Sequence, residues 1–325
     1  MPTTSPTPFL LGVNYPWLDY AEDFGGSARG HLGVSSPEKS KVVTADFARM
    51  RDCGVRVVRW FLFGDGRGGF VSQNGIPRTA DEFLFKDVSA ALQLAKDNEI
   101  KLCISLIDFL WLQDREPPQS AGQNNRVLQF AAGRAGFLQN VLIPLFREFH
   151  GHASLFAWEV ANEPEWAIHE FCRVPTAKMH LADFRAFATE IVRAIHEFGG
   201  AAATLGSARL LWVRAWSGLH LDFYQAHYYP SAELDGNANF RQQLSSARAL
   251  DKPLWLGELP ARDLSASDYS LVGALNICRD AGLCGAAIWR WTKPEETAND
   301  ADIGCVEPAA LQTWLVSKRT PDLSV

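Results

Sequence analysis

Two glutamates stand where long apolar runs stop. Glu163 ends the run Phe156-Ala157-Trp158-Glu159-Val160-Ala161-Asn162-Glu163-Pro164, and Glu258 sits in Pro253-Leu254-Trp255-Leu256-Gly257-Glu258-Leu259-Pro260. Such flanks give a carboxylate no structural reason to be present, and carboxylates are seldom buried without a partner. Cleavage of a glycosidic bond needs a pair like this. One carboxyl protonates the leaving oxygen, while the other attacks the anomeric carbon or activates a water. Salt bridges that merely close two strand ends are the plainer alternative, and the apolar flanks weigh against it.

The two carboxyls need different surroundings. Glu163 has to stay protonated near neutral pH, through desolvation and a neighbouring carboxylate, while Glu258 has to stay ionised, helped by Arg59 and the Tyr229 hydroxyl. Asn162 carries an amide suited to a sugar 2-hydroxyl, with a strand-end turn as its alternative role. His227 and Tyr229 are two apart, as are Trp289 and Trp291, so each pair shares one side of a strand. An indole presents a stacking face and an N–H donor to a sugar, which favours Trp289 as a platform and leaves Trp291 open between platform and core. Asp108 and Trp111 are either a further sugar contact or, for Asp108, a helix cap.

What places these residues together is an alternation along the chain. Strand-like runs occur at Phe9 to Pro16, Val55 to Phe63, Lys101 to Asp108, Leu155 to Asn162, Ala201 to Gly206, Leu221 to Tyr229, Pro253 to Leu259 and Gly285 to Thr292. Between and after them lie helical periods at Thr44 to Cys53, Phe83 to Asn98, Val127 to His150, Ala182 to Phe198, Asn237 to Leu250, Ser265 to Ala281 and Pro308 to Lys318, with a short Trp-rich stretch at Ala208 to Leu219. Runs as continuously apolar as Val55-Arg56-Val57-Val58-Arg59-Trp60-Phe61-Leu62-Phe63 belong to parallel sheets covered on both faces. Eight βα units close into one (β/α)8 barrel spanning residues 1–325, and catalytic groups in that fold gather at the C-terminal ends of the strands. The candidate residues occupy those ends. A doubly wound open sheet is the rival, but Gly12-Val13-Asn14-Tyr15-Pro16 lacks its Gly-rich first turn.

The run Phe156 to Pro164 resembles the fourth-strand signature of clan A glycoside hydrolases, family 5 in particular and its β-mannanases most closely. Arg59 on the second strand, His227-Tyr228-Tyr229 on the sixth, Pro253 to Glu258 on the seventh and Trp289 on the eighth extend the likeness over nearly the whole chain. The resemblance implies that Glu163 is the acid/base and Glu258 the nucleophile, and that a mannose- or glucose-based β-linked saccharide is hydrolysed with retention through a covalent glycosyl-enzyme. In one place the chain departs from the pattern. Family 5 enzymes often carry a His at the end of the third strand, where this sequence reads Ser105-Leu106-Ile107-Asp108-Phe109-Leu110-Trp111. A transglycosylase using the same site, and a barrel that binds carbohydrate without hydrolysing it, are the alternatives.

Composition narrows the partners. The 325 residues are 47% hydrophobic with a formal charge of -6, which argues against nucleic acid, and no apolar run reaches the roughly 20 residues that span a bilayer. The expected partner is an oligo- or polysaccharide. Six dispersed cysteines show no C-x-x-C spacing and read as buried free thiols. His150 and His152 precede the fourth strand and so fall at the opposite end of the barrel, and no metal or cofactor is expected. The first residues show no secretory signal, which gives a cytoplasmic expectation.

Overall fold

The computed structural model describes residues 9–27, 30–113, 127–173, 179–230, 237–247, 250–263, 269–291 and 305–317. Every expected barrel strand is present: β1 Leu10–Asn14, β2 Val57–Phe61, β3 Lys101–Ser105, β4 Leu155–Asn162, β5 Ala202–Ser207, β6 Tyr224–His227, β7 Leu254–Pro260 and β8 Gly285–Trp289. Neighbours pair in parallel, and β8 closes onto β1. Helices cover the outside, among them α1 Pro37–Asp52, α2 Leu84–Asp97 and, after β4, α3 Leu181–Ala194. Residues 248–249, Ser265 to Asp268, Thr292 and Lys318, which the expected segments include, lie outside the described residues. No helix among the described residues is long and apolar enough to cross a membrane.

The helix expected from Ser265 begins at Leu271, capped by Ser270, and two more expected helices differ in outline. The first begins at Pro37, not Thr44; Pro at the opening position costs no hydrogen bond there, and Glu38 suits the positive end of the helix dipole. The expected Val127 to His150 helix is a 3-10 turn, Ala131–Phe137, a π turn at Leu138–Leu142, then Ile143–Glu148. Pro144 has no N–H for the α ladder, so the loosened turn falls just before it. Two small hairpins, Gly26–Ser27 with Gly30–His31 and Phe70–Gln73 with Ile76–Ala80, add to the barrel.

Strand periodicity arranges the interior in layers. Val57, Cys103, Ala157, Phe223, Trp255 and Ala287 form an apolar floor. Gly12 and Gly285 make room for its Trp255, since a Cβ would lie 3.0 Å and 2.3 Å from that ring. Two residues further along several strands come Arg59, Ser105, Glu159 and Gln225, a polar middle layer. The mouth lies above. Parallel pairing slips between Glu159 and Asn162 on β4, between Ala226 and His227 on β6, and between Leu256 and Leu259 on β7. Such irregularities re-aim side chains at barrel rims, and Glu163 and Glu258 sit at or just past two of them.

Candidate active site

The middle layer is built on Arg59. Its guanidinium donates Nε and Nη2 to the two oxygens of Glu159, both at 2.6 Å, so the buried charge is paired at once. Ser105 Oγ (3.0 Å) and Gln225 Nε2 (2.7 Å) complete the Glu159 carboxylate. Despite burial, Arg59 and these donors hold Glu159 below the usual carboxylate range. Glu159 lies four residues before Glu163 and deeper in the barrel, where a buried carboxylate needs a partner, and Arg59 is that partner.

Arg59 also reaches upward. Nη1 donates to Glu258 Oε1 at 2.7 Å and to Asn14 Oδ1 at 2.9 Å, and Nη2 to Asn162 Oδ1 at 2.7 Å. Asn162 Nδ2 then donates to Asp108 Oδ2 at 2.9 Å, which fixes which way the amide faces. Tyr229 Oη donates to the other Glu258 oxygen at 2.6 Å. Burial pushes the Glu258 carboxyl up, and Arg59 and Tyr229 pull it back toward ionisation.

Glu163 lies beside it in other company. Its backbone is left-handed, φ 46° and ψ 46°, a conformation that non-glycine residues seldom hold and that concentrates at functional sites. The turn aims the side chain inward, where His227 Nδ1 lies 2.7 Å from Oε1 and Trp166 Nε1 donates to Oε2 at 2.8 Å. No cation among the described residues touches the carboxyl, and burial raises it to about 7. Burial likewise lowers His227 to about 4, so its ring is neutral. His227 Nε2 is buried without a partner among the described residues, which favours the tautomer with the hydrogen on Nδ1 and the lone pair on Nε2.

One oxygen of each glutamate and one His227 nitrogen lie within 4.8 Å of one another, the only such group among the described residues with metal-ligand chemistry. The Arg59 guanidinium 2.7 Å from Glu258 opposes a cation there, and Trp166 and Tyr229 already use the remaining oxygens. The site is made for a neutral or cationic transition state between two carboxyls.

A cavity of about 960 Å³ opens over this pair, and Asp108, Asn162, Glu163, His227, Tyr229, Glu258 and Trp289 line it. Arg59 lies directly beneath. Asp108 fills both roles considered for it: Oδ1 caps the short helix Phe109–Leu112 through Leu110 N at 2.8 Å, while Oδ2 takes Asn162. Two expectations are corrected. Trp111 is fully buried against Phe63, Phe70 and Phe137, because it lies inside that helix and turns away from the mouth. Trp291 is buried under Arg49 and within 3.4 Å of Asp46 Oδ1; β8 ends at Trp289, so alternation no longer carries over to residue 291.

Further residues complete the site, of which sequence reasoning missed Trp166 and Arg209. Trp166 and Arg209 line the cavity, and Asn14 ties Arg59 to Gly257 O (Nδ2 to O, 2.8 Å). Trp17 meets Trp289 edge-on at 6.0 Å. The position of Trp166, three residues past Glu163 in a loop opened by Pro164, was the available signal. The cysteine reading also needs adjusting: all six are free, but Cys172, Cys284 and Cys305 are half-buried.

A closed parallel barrel with glutamates at the ends of its fourth and seventh strands is the architecture of clan A glycoside hydrolases, and the chain is family 5-like. No family model matches it. It is 22% identical over 319 residues to the mannan endo-1,4-beta-mannosidase of Cryptopygus antarcticus, covering 87% of this chain and 80% of that one. The Mytilus edulis mannan endo-1,4-beta-mannosidase is 24% identical over 331 residues, covering 90% and 85%. Solved β-mannanase structures from the same two organisms superpose with TM-scores of 0.76 and 0.75 at 19% and 21% identity, covering 97% and 96% of this chain and 92% of each of those.

Proposed function

We propose that the protein is a retaining β-glycoside hydrolase that cleaves internal β-1,4 bonds of mannan or mannooligosaccharides. The observation that carries this reading is the closeness of the two carboxyls across His227, with oxygens within 4.8 Å. Retaining glycosidases keep their carboxyls roughly 5–5.5 Å apart, whereas inverting ones need roughly 6.5–9.5 Å to admit a water. The relatives' activity points to mannan as the polymer.

In this reading Glu163 gives its proton to the leaving glycosidic oxygen as Glu258 bonds to the anomeric carbon. The saccharide beyond the cleaved bond departs. A water then loses its proton to the Glu163 carboxylate, its oxygen adds to the anomeric carbon, and the bond to Glu258 breaks. Arg59 and Tyr229 hold Glu258 as a carboxylate before attack and after release. The Asn162 amide, fixed by Arg59 and Asp108, serves the sugar 2-hydroxyl, and Trp289 is the stacking platform. Digestion of β-1,4 mannooligosaccharides and cellooligosaccharides in ¹⁸O-water, read by mass and by the NMR anomeric signal at early times, tests it. Label on a β-configured new reducing end of mannooligosaccharides is expected; an α-configured first product or no cleavage would overturn the reading, and longer products would reveal transfer to sugar.

A further inference from the structure

Trp166 is held by more than its loop. The Arg209 guanidinium lies over the Trp166 ring at 5.6 Å and over the Trp212 ring at 5.0 Å, and the two indoles meet edge-on at 5.4 Å. Phe171 backs Trp212 at 5.5 Å. Arg209 is exposed and lines the cavity, with no carboxylate at ion-pair distance among the described residues. Below this stack, Glu165 is buried and anchors the same loop to β5 through Ser207 Oγ (2.5 Å), Ala208 N (3.1 Å) and Trp216 Nε1 (2.9 Å). The loop and the segment after β5 are therefore tied together. Its side-chain hydrogen bond to the reacting groups is the Trp166 N–H on Glu163.

We infer that Arg209 is a positioning residue: stacked on Trp166 and Trp212, it holds the indole N–H on Glu163 Oε2 and so sets the pH at which that carboxyl keeps its proton. The inference rests on the reading of Glu163 as acid/base. A cation over an indole face is attracted by the ring and strengthens its N–H as a donor, and a donor to a carboxyl favours the ionised form. The other charged or titratable groups facing Glu163 are Arg59 from β2, Asp108 after β3, Glu159 on β4, His227 and Tyr229 at the end of β6, and Glu258 on β7. Arg209 alone among these groups is exposed to solvent, so its charge is the one adjustable from the rim. Its charge acts to lower Glu163, against the burial that raises it.

The test uses the full chain labelled with ¹⁵N-tryptophan, in which the Trp166 indole signal is identified by its absence in Trp166→Phe. In the wild type that signal titrates with Glu163. In Arg209→Gln the midpoint is expected to move upward by on the order of half a pH unit, less than the 1–3 units of a directly adjacent charge. Arg209→Lys, which keeps the charge and loses the planar stack, falls between them. In kinetics the alkaline limb of kcat/KM moves the same way, with KM changed less than kcat. An unmoved midpoint in Arg209→Gln, or an effect confined to KM, overturns the inference. If the protein cleaves no β-linked saccharide, the proposed function falls while the NMR midpoint still decides the clamp.

Discussion

The ends of β4 and β7 each present a glutamate to the same cavity, with side chains 16% and 6% exposed, yet their neighbours differ in charge. At the end of β7, Glu258 takes a guanidinium and a phenol hydroxyl. At the end of β4, Glu163 takes an imidazole and an indole, both neutral. Burial acts alike on both carboxyls, so the neighbours decide which one is ionised. Four residues along one strand give the same lesson: Glu159, on Arg59, is held low, while Glu163, without a cation, is raised to about 7.

The largest effect separates the two ends directly. Glu258→Ala is expected to lower kcat by roughly 10⁵-fold or more, in the range seen when a nucleophile is removed, and added azide should restore no retained product. Glu163→Ala is expected to lose roughly 10²–10⁴-fold on substrates with poor leaving groups and little on activated aryl glycosides, where no acid is needed. In that variant azide should intercept the glycosyl-enzyme and yield the β-glycosyl azide. Equal, modest losses in both variants, or azide rescue of Glu258→Ala with retention, would show that the two ends do not differ as described.

A smaller effect separates Trp289 from Trp291, which differ by two residues and by surroundings. Trp289 faces the cavity, half-buried, against Trp17 and Phe61. Trp289→Ala is expected to cost about 2–4 kcal/mol in kcat/KM, because a stacking platform both holds the sugar and orients its reacting carbon. Trp291→Ala should instead lose about 3–5 kcal/mol of stability, the usual range for a large buried aromatic, with kcat/KM per folded molecule unchanged. Melting temperatures measured beside the kinetics check both, and a Trp289→Ala that loses only stability would remove it from the site.

The barrel could be read from the sequence because parallel strands covered on both faces are apolar along their whole length, which marks them without regard to periodicity. The hairpin at Phe70–Gln73 and Ile76–Ala80 left a signal too: Asn74 and Gly75 have φ of 53° and 72°, the positive pair that a type I′ turn needs and that an Asn-Gly dipeptide announces. It was passed over because its strands are short and half-exposed. Site residues on strand ends were found from their type and place. Trp166 and Arg209 were not, because they lie in loops, where no period fixes a direction, and their role depends on a stack formed between two separate loops. Trp291 goes to the core because alternation stops at Trp289, and Trp111 because the helix it lies in turns it away from the mouth.

The smallest effect concerns stability and again turns on Glu163. Its folded carboxyl titrates near 7, above the ordinary value of 4.5 expected of the unfolded chain, so the folded protein holds one more proton there between those pH values. The stabilisation linked to that proton is complete below about pH 4.5 and is lost as pH rises through 7. Removing the side chain removes the linkage: the slope of unfolding free energy against pH should become less negative in Glu163→Ala by up to about 1.4 kcal/mol per pH unit within this window. Alanine keeps the left-handed backbone about as strained as glutamate does, so the difference isolates the carboxyl. The cavity already opens to solvent at this point, so the substitution leaves no dry void. The melting temperature of the variant should therefore rise relative to that of the wild type as pH rises through 7. Urea titrations of both proteins from pH 4.5 to 8 measure it, and parallel slopes would mean that Glu163 does not change its protonation on folding within this range.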